Sequence, residues 1–93
     1  MKYSLKLTPV ALSDLQIGVD YYNSQQKGLG KRFAKVIDET LDGIKKMPLS
    51  ASIAYDEIRY KVVDKFPYII LYKIHGNYIS IVRVFNVHQQ SVY

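Results

Sequence analysis

Phe66–Gln90 reads FPYIILYKIHGNYISIVRVFNVHQQ, two apolar arms on either side of Gly76-Asn77. Ile69, Ile70, Leu71 and Ile74 load the first arm, and Ile79, Ile81, Val82, Val84 and Phe85 load the second. A Gly-Asn link tolerates the positive φ angles that a tight two-residue hairpin turn requires. Closing the hairpin there pairs His75 with Tyr78, Tyr72 with Ile81, Ile70 with Arg83 and Ile69 with Val84. Strict alternation of side chains puts Tyr68, Ile70, Tyr72, Ile74, Ile79, Ile81, Arg83 and Phe85 on one face. The other face takes Ile69, Leu71, Lys73, His75, Tyr78, Ser80, Val82 and Val84. Both faces are rich in apolar groups, which predicts a hairpin at the centre of a sheet. A lone hairpin is marginal in water, so the remaining chain must cover it.

Directly upstream, Ile58–Val63 alternates, with Ile58, Tyr60 and Val62 on one face and Arg59, Lys61 and Val63 on the other. Asp64-Lys65 turns this strand into the hairpin, and Pro67 sits at a strand start, where it breaks no interior ladder bond. Leu49–Glu57 reads as a loop with a short extended piece at Ser52–Tyr55. Further upstream, Phe33, Ile37, Leu41 and Ile44 form the apolar stripe of a helix starting near Lys31. Lys45 and Lys46 suit its C-terminal dipole and Pro48 stops it. Asn23–Gly30 is polar and ends in Gly-Leu-Gly, a connection to an earlier helix. That helix carries Ala11, Leu15, Val19 and Tyr22 at helical spacing, flanked by Ile17 and Tyr21. Thr8 is its N-cap and Pro9 its first residue, where a missing N–H costs nothing. Lys2–Leu7 alternates as a half-buried strand, with Tyr3, Leu5 and Leu7 inward. The order is strand, helix pair, then three to four antiparallel strands, which makes a two-layer α+β sandwich with both helices on one sheet face. The pattern leaves the place of the first strand open.

The 93 residues fit one domain, 1–93. A net charge of +5 and a pI near 9.4 suit an acidic partner, nucleic acid or a membrane surface, or only a soluble basic exterior. The absence of cysteine excludes a disulfide framework and a thiol nucleophile. Two distant histidines without cysteine give no zinc spacing, and Gly28 and Gly30 precede no Lys-Ser/Thr pair of a phosphate loop, so no metal or cofactor is expected. Asp38, Glu39 and Asp42 read as the wet face of the second helix. The N-terminal MKYSLKLTP holds no apolar run of signal length and no stretch approaches a membrane span, so a cytoplasmic protein is expected.

The run Ala11…Asp14-Leu15…Asp20-Tyr21-Tyr22, then Leu29-Gly30…Phe33…Ile37-Asp38…Leu41…Ile44…Pro48, resembles the helical half of the RelE/ParE superfamily of bacterial toxins. The second half extends the resemblance: Arg59…Val62-Val63…Phe66-Pro67-Tyr68…Tyr72…Ile79…Val84-Phe85-Asn86…His88-Gln89. It covers nearly the whole chain, and Phe-Pro-Tyr-x-Ile-x-Tyr is its most specific part. The resemblance implies a first strand beside the last and the toxin half of a type II toxin–antitoxin pair, silenced by a small antitoxin protein. It offers two activities: RelE-like members cut mRNA on the ribosome, and ParE-like members poison DNA gyrase.

Cleavage of RNA through its 2′-hydroxyl needs a general base, cationic clamps and a general acid. The RelE-like pattern implies basic residues on the open sheet face and a C-terminal tyrosine, roles that fall on Arg59, Lys61, His88 and Tyr93. Ile69 stands where RelE-like enzymes carry an arginine, which removes a phosphate clamp. The chain is therefore expected nearer the ParE side, as a gyrase inhibitor. A ribosome-dependent mRNA endonuclease is the alternative, and a non-toxic basic binding module of the same fold is a third reading.

Overall fold

A computed structural model describes residues 3–88. In chain order the elements are β1 (Ser4–Leu7), α1 (Pro9–Gln25), α2 (Leu29–Lys46), β2 (Ser52–Tyr55), β3 (Ile58–Val62), β4 (Tyr68–His75) and β5 (Tyr78–Asn86), with a 3-10 turn at Pro48–Ser50. The sheet order is β1-β5-β4-β3-β2, with β1 parallel to β5 and every other pair antiparallel. The hairpin is therefore central, and the first strand lies beside the last, as the resemblance implies. Both helices pack on one face, giving the expected α+β sandwich.

The helices start where local chemistry allows. The Ala11 N–H donates to Thr8 Oγ1 at 3.1 Å, and Pro9 occupies the first turn. Gly28, at φ 85°, links the helices, so α2 begins at Leu29, ahead of the expected Lys31. Gly30 lets the two backbones approach: its N–H donates to Asn23 Oδ1 at 2.9 Å, and a Cβ there would run into the Val19 carbonyl oxygen. Phe33, Ile37, Leu41 and Ile44 are all buried, as their spacing predicts. They meet Ile70, Tyr72, Ile79, Ile81 and Val84 from the sheet. The 3-10 turn, which the sequence pattern does not announce, brings the Pro48 carbonyl to the buried Tyr72 hydroxyl, which donates to it at 2.6 Å.

The hairpin departs from strict alternation at one place. His75 pairs with Tyr78 and Tyr72 with Ile81 as expected, but Leu71 pairs with Arg83, leaving Val82 as the extra residue of a β-bulge. Beyond it Ile70 pairs with Val84 and Ile69 with Phe85, which corrects the expected Ile70–Arg83 and Ile69–Val84 pairs. Val84 turns into the core at 1% exposure, while Arg83 and Phe85 move to the face away from the helices. The cause lies at the outer edge of β5. β1 ends at Leu7 opposite Ile81, and past that point α1 takes over the edge. The Thr8 N–H donates to the Ile81 carbonyl at 3.1 Å, and the Thr8 hydroxyl to the Val82 carbonyl at 3.0 Å. The Val84 N–H donates to Asp14 Oδ2 at 3.0 Å. A bulge bends and twists its strand, here onto the start of α1.

Candidate functional site

The sheet face away from the helices is built by register. Tyr60 stands opposite Leu71, which stands opposite Arg83; Val62 stands opposite Ile69, which stands opposite Phe85. Tyr55, opposite Ile58, extends the face onto the edge strand. Val62 is 64% exposed and Tyr55 54%, whereas Leu71 is almost enclosed by its neighbours. Arg83 is held rigidly: Nε and Nη2 donate to the two Asp14 carboxylate oxygens at 2.7 and 2.9 Å, and its guanidinium lies 5.6 Å from the Phe85 ring. At the turn end His75 stacks on Tyr78 with centroids 4.9 Å apart, and Lys6 Nζ lies 4.7 Å from the same ring. A tyrosine- and aliphatic-rich face around one fixed arginine has the composition of protein interface cores.

A second concavity of about 320 Å³ lies where α1 meets the ends of β4 and β5, lined by Ile17, Tyr21, Tyr22, Pro67, Tyr68, Asn86 and His88. The Asn86 amide donates to the Tyr68 hydroxyl at 3.4 Å. Tyr21 and Ile17, expected only to flank the apolar stripe of α1, are more than half exposed at its rim.

Of the residues singled out for nuclease chemistry, the three described ones, Arg59, Lys61 and His88, are not assembled into one site. Arg59 pairs with Tyr72 and Lys61 with Ile70, both on the helix-covered side, so neither is on the open face. This corrects the expectation that they form a basic open-face cluster, and an arginine at Ile69 would point away from them. Arg59 is engaged by backbone: Nη1 donates to the Ala51 carbonyl at 2.6 Å and the Leu49 carbonyl at 3.4 Å. It lines a depression with Leu49, Ile53, Glu57 and Ile74. Lys61 lines another against α2, with Val36, Glu39, Thr40 and Gly43. His88 borders the tyrosine-lined concavity, a third place, and Tyr93 lies outside the described residues. Among the described residues no three His, Asp or Glu side chains group as metal ligands. No helix there is long and apolar enough to cross a membrane.

Burial raises the phenols of Tyr22, Tyr68 and Tyr72 above their ordinary value. At Tyr68 the Asn86 hydrogen bond opposes the rise while the Asp14 charge adds to it, and at Tyr72 Arg59 opposes it. These groups stay protonated at neutral pH, and the Tyr68 and Tyr72 hydroxyls are hydrogen-bonded. A phenol whose pKa is higher folded than unfolded contributes stability below its unfolded value, about 10. That contribution is lost as pH rises through the folded value. Thermal melts are thus expected to fall from about pH 10 upward, and Tyr22→Phe/Tyr68→Phe should flatten that fall. An alkaline decline of equal slope in the double variant would show that these rings do not carry it.

A family model described as the ParE toxin of the type II toxin–antitoxin system, parDE, matches residues 5–91. Among solved structures, a chain described as "Chromosomal ParDE TA system from P. aeruginosa" superposes with a TM-score of 0.82 at 19% identity, covering 91% of this chain and 96% of that one. At that identity the superposition speaks for the fold alone. A comparison with curated proteins gives no significant match.

Proposed function

The chain belongs to the ParE toxin family of type II toxin–antitoxin systems, and from that membership we propose that it arrests growth by binding DNA gyrase through the open sheet face. The observation that carries the reading is the dispersal of Arg59, Lys61 and His88 over three separate depressions, against a continuous aromatic face around Arg83. A phosphoryl-transfer site needs its cations preorganised around one phosphate. A protein-binding site needs a rigid apolar and aromatic centre. The silencing partner is an acidic antitoxin segment that folds onto the same face. The +5 charge and the exposed Tyr55 and Val62 support such an occupant. Overlap of the two partners would make silencing a simple competition.

Purified protein is expected to inhibit gyrase supercoiling and to leave ribosome-bound mRNA intact. Val62→Asp, which places a charge on an exposed part of that face, should weaken inhibition by roughly 10-fold or more with an unchanged melt. His88→Ala should inhibit as the unmodified protein does. Cutting of ribosome-bound mRNA that His88→Ala abolishes, with gyrase unaffected, would overturn the reading in favour of the endonuclease.

A further inference from the structure

Lys27, Lys31, Arg32 and Lys35 fall within nine residues that contain no carboxylate, at the end of the hairpin formed by α1 and α2. All four are exposed. Among the described residues the ion pairs are Lys73–Glu57 and Arg83–Asp14, so none of the four is neutralised there. Three of them occupy the first two turns of α2, which has no acidic residue in its first turn. The positive end of a helix dipole disfavours cations at that position. Lys31 and Lys35 also repel one another at i,i+4 spacing. Asp38 and Glu39, the next carboxylates along the helix, form no ion pair with Lys35. The arrangement works against the helix that carries it, and an external anion would relieve it.

The anion would be met by side chains and not by the helix terminus. The Leu29 N–H already donates to the Gln26 carbonyl at 3.0 Å, Gly30 to Asn23 Oδ1 at 2.9 Å and Arg32 to the Gly28 carbonyl at 3.2 Å. Lys31 and Lys35 are separated by a rise of about 6 Å along the axis, with Lys27 beyond one end. They form a row and do not converge on a single phosphate. The exposed neighbours are Ser24, Gln25 and Gln26, while Phe33 is turned into the core. Protein interface cores are depleted in lysine and enriched in aromatic rings. Contacts to a phosphate backbone draw on Lys, Arg, Gln and Ser. No exposed aromatic ring lies in this segment to stack on unpaired bases, which favours a duplex over a single strand. We propose that this end of the helix hairpin is a sequence-independent contact surface for the phosphate backbone of duplex DNA, distinct from the open sheet face. The assignment goes beyond the gyrase reading, and its test contains no gyrase.

Fluorescence anisotropy of the full chain with two labelled duplexes of unrelated sequence, from low to moderate salt, reads the effect. Four phosphate contacts predict a slope of log K against log salt of about −3.6, a fall of roughly 100-fold between about 50 and 200 mM salt, equal for both duplexes. Lys31→Gln/Arg32→Gln/Lys35→Gln should reduce the slope to about −1 while melting no lower than the unmodified protein. Lys27→Gln, outside α2, should remove about one unit of slope without touching the helix. Lys45→Gln/Lys46→Gln/Lys65→Gln, with the same loss of charge elsewhere, should bind as before. Equal losses in the two triple variants would reduce the effect to net charge and overturn the assignment. So would an absence of binding at low salt, or poly-glutamate binding as tightly as the duplex, which would point to an acidic protein.

Discussion

Phe33→Ala is expected to lower the unfolding free energy by about 3–5 kcal/mol. For a chain of this length that corresponds to a fall in Tm of roughly 15–30 °C. The ring has no exposed surface and stands at the centre of an aromatic cluster. Its centroid lies 5.1 Å from Tyr22, 5.1 Å from Phe66 and 4.7 Å from Tyr68. Gly18 of α1 presses against it so closely that a Cβ at Gly18 would stand 2.6 Å from Cε2. A side chain clamped from a helix, a loop and a strand leaves a cavity that its neighbours cannot all collapse into, which puts the cost at the upper part of the usual range. Circular dichroism melts decide the matter, and an unchanged Tm would mean that the apolar stripe of α2 does not face this core. Loss of growth arrest in the same variant would reflect lower abundance of folded protein and would not place Phe33 in a binding site.

Period carried most of this architecture. The stripe Phe33, Ile37, Leu41 and Ile44 is legible because only one helical face can bury residues at that spacing, and all four are buried. The turn at Gly76 is legible because a φ of 61° suits glycine, and Ser52–Tyr55 forms the strand expected there. The neighbour of β1 came from the resemblance, since alternation says nothing about which strand a parallel edge joins. The bulge was not legible: strict alternation sets Val82 and Val84 on one face and Arg83 and Phe85 on the other, and either pair carries enough apolar surface to face inward. What decides between them is Asp14, far away in the chain, which accepts the Val84 N–H. Alternation correctly grouped Arg59, Lys61 and Val63 on one side but could not say which side. Val63, at 3% exposure, belongs to the core, and its face is therefore the helix-covered one. Arg59 is tolerated there because the carbonyls of Ala51 and Leu49, beyond the end of α2, accept from its guanidinium.

Asp14→Ala is expected to cost about 2–3 kcal/mol. The carboxylate accepts two bonds from Arg83 and one from the Val84 N–H, and its removal orphans all three donors. A fully buried pair would cost more; here the side chains are 40% and 13% exposed, for Arg83 and Asp14 respectively, so water can partly resolvate the guanidinium. Arg83→Met should cost about 1 kcal/mol, because Asp14 keeps its bond to the Val84 N–H. The double variant should lose less than the sum of the two, with a coupling of about 1–2 kcal/mol, measured by urea unfolding of all four proteins. Strict additivity would mean that the ion pair does not act as one unit. Asp14→Asn separates stability from function, since the amide oxygen can still accept from the Val84 N–H and so retain the bulge. It releases Arg83 from its bidentate clasp, and a flexible arginine loses more conformational entropy on binding than a fixed one. On the proposed reading, gyrase inhibition by Asp14→Asn should therefore weaken severalfold, beyond the loss of about 1 kcal/mol that removing the ion pair takes from the melt. Inhibition that tracks the melt, with no loss beyond it, would confine the Asp14–Arg83 pair to holding β5 against α1.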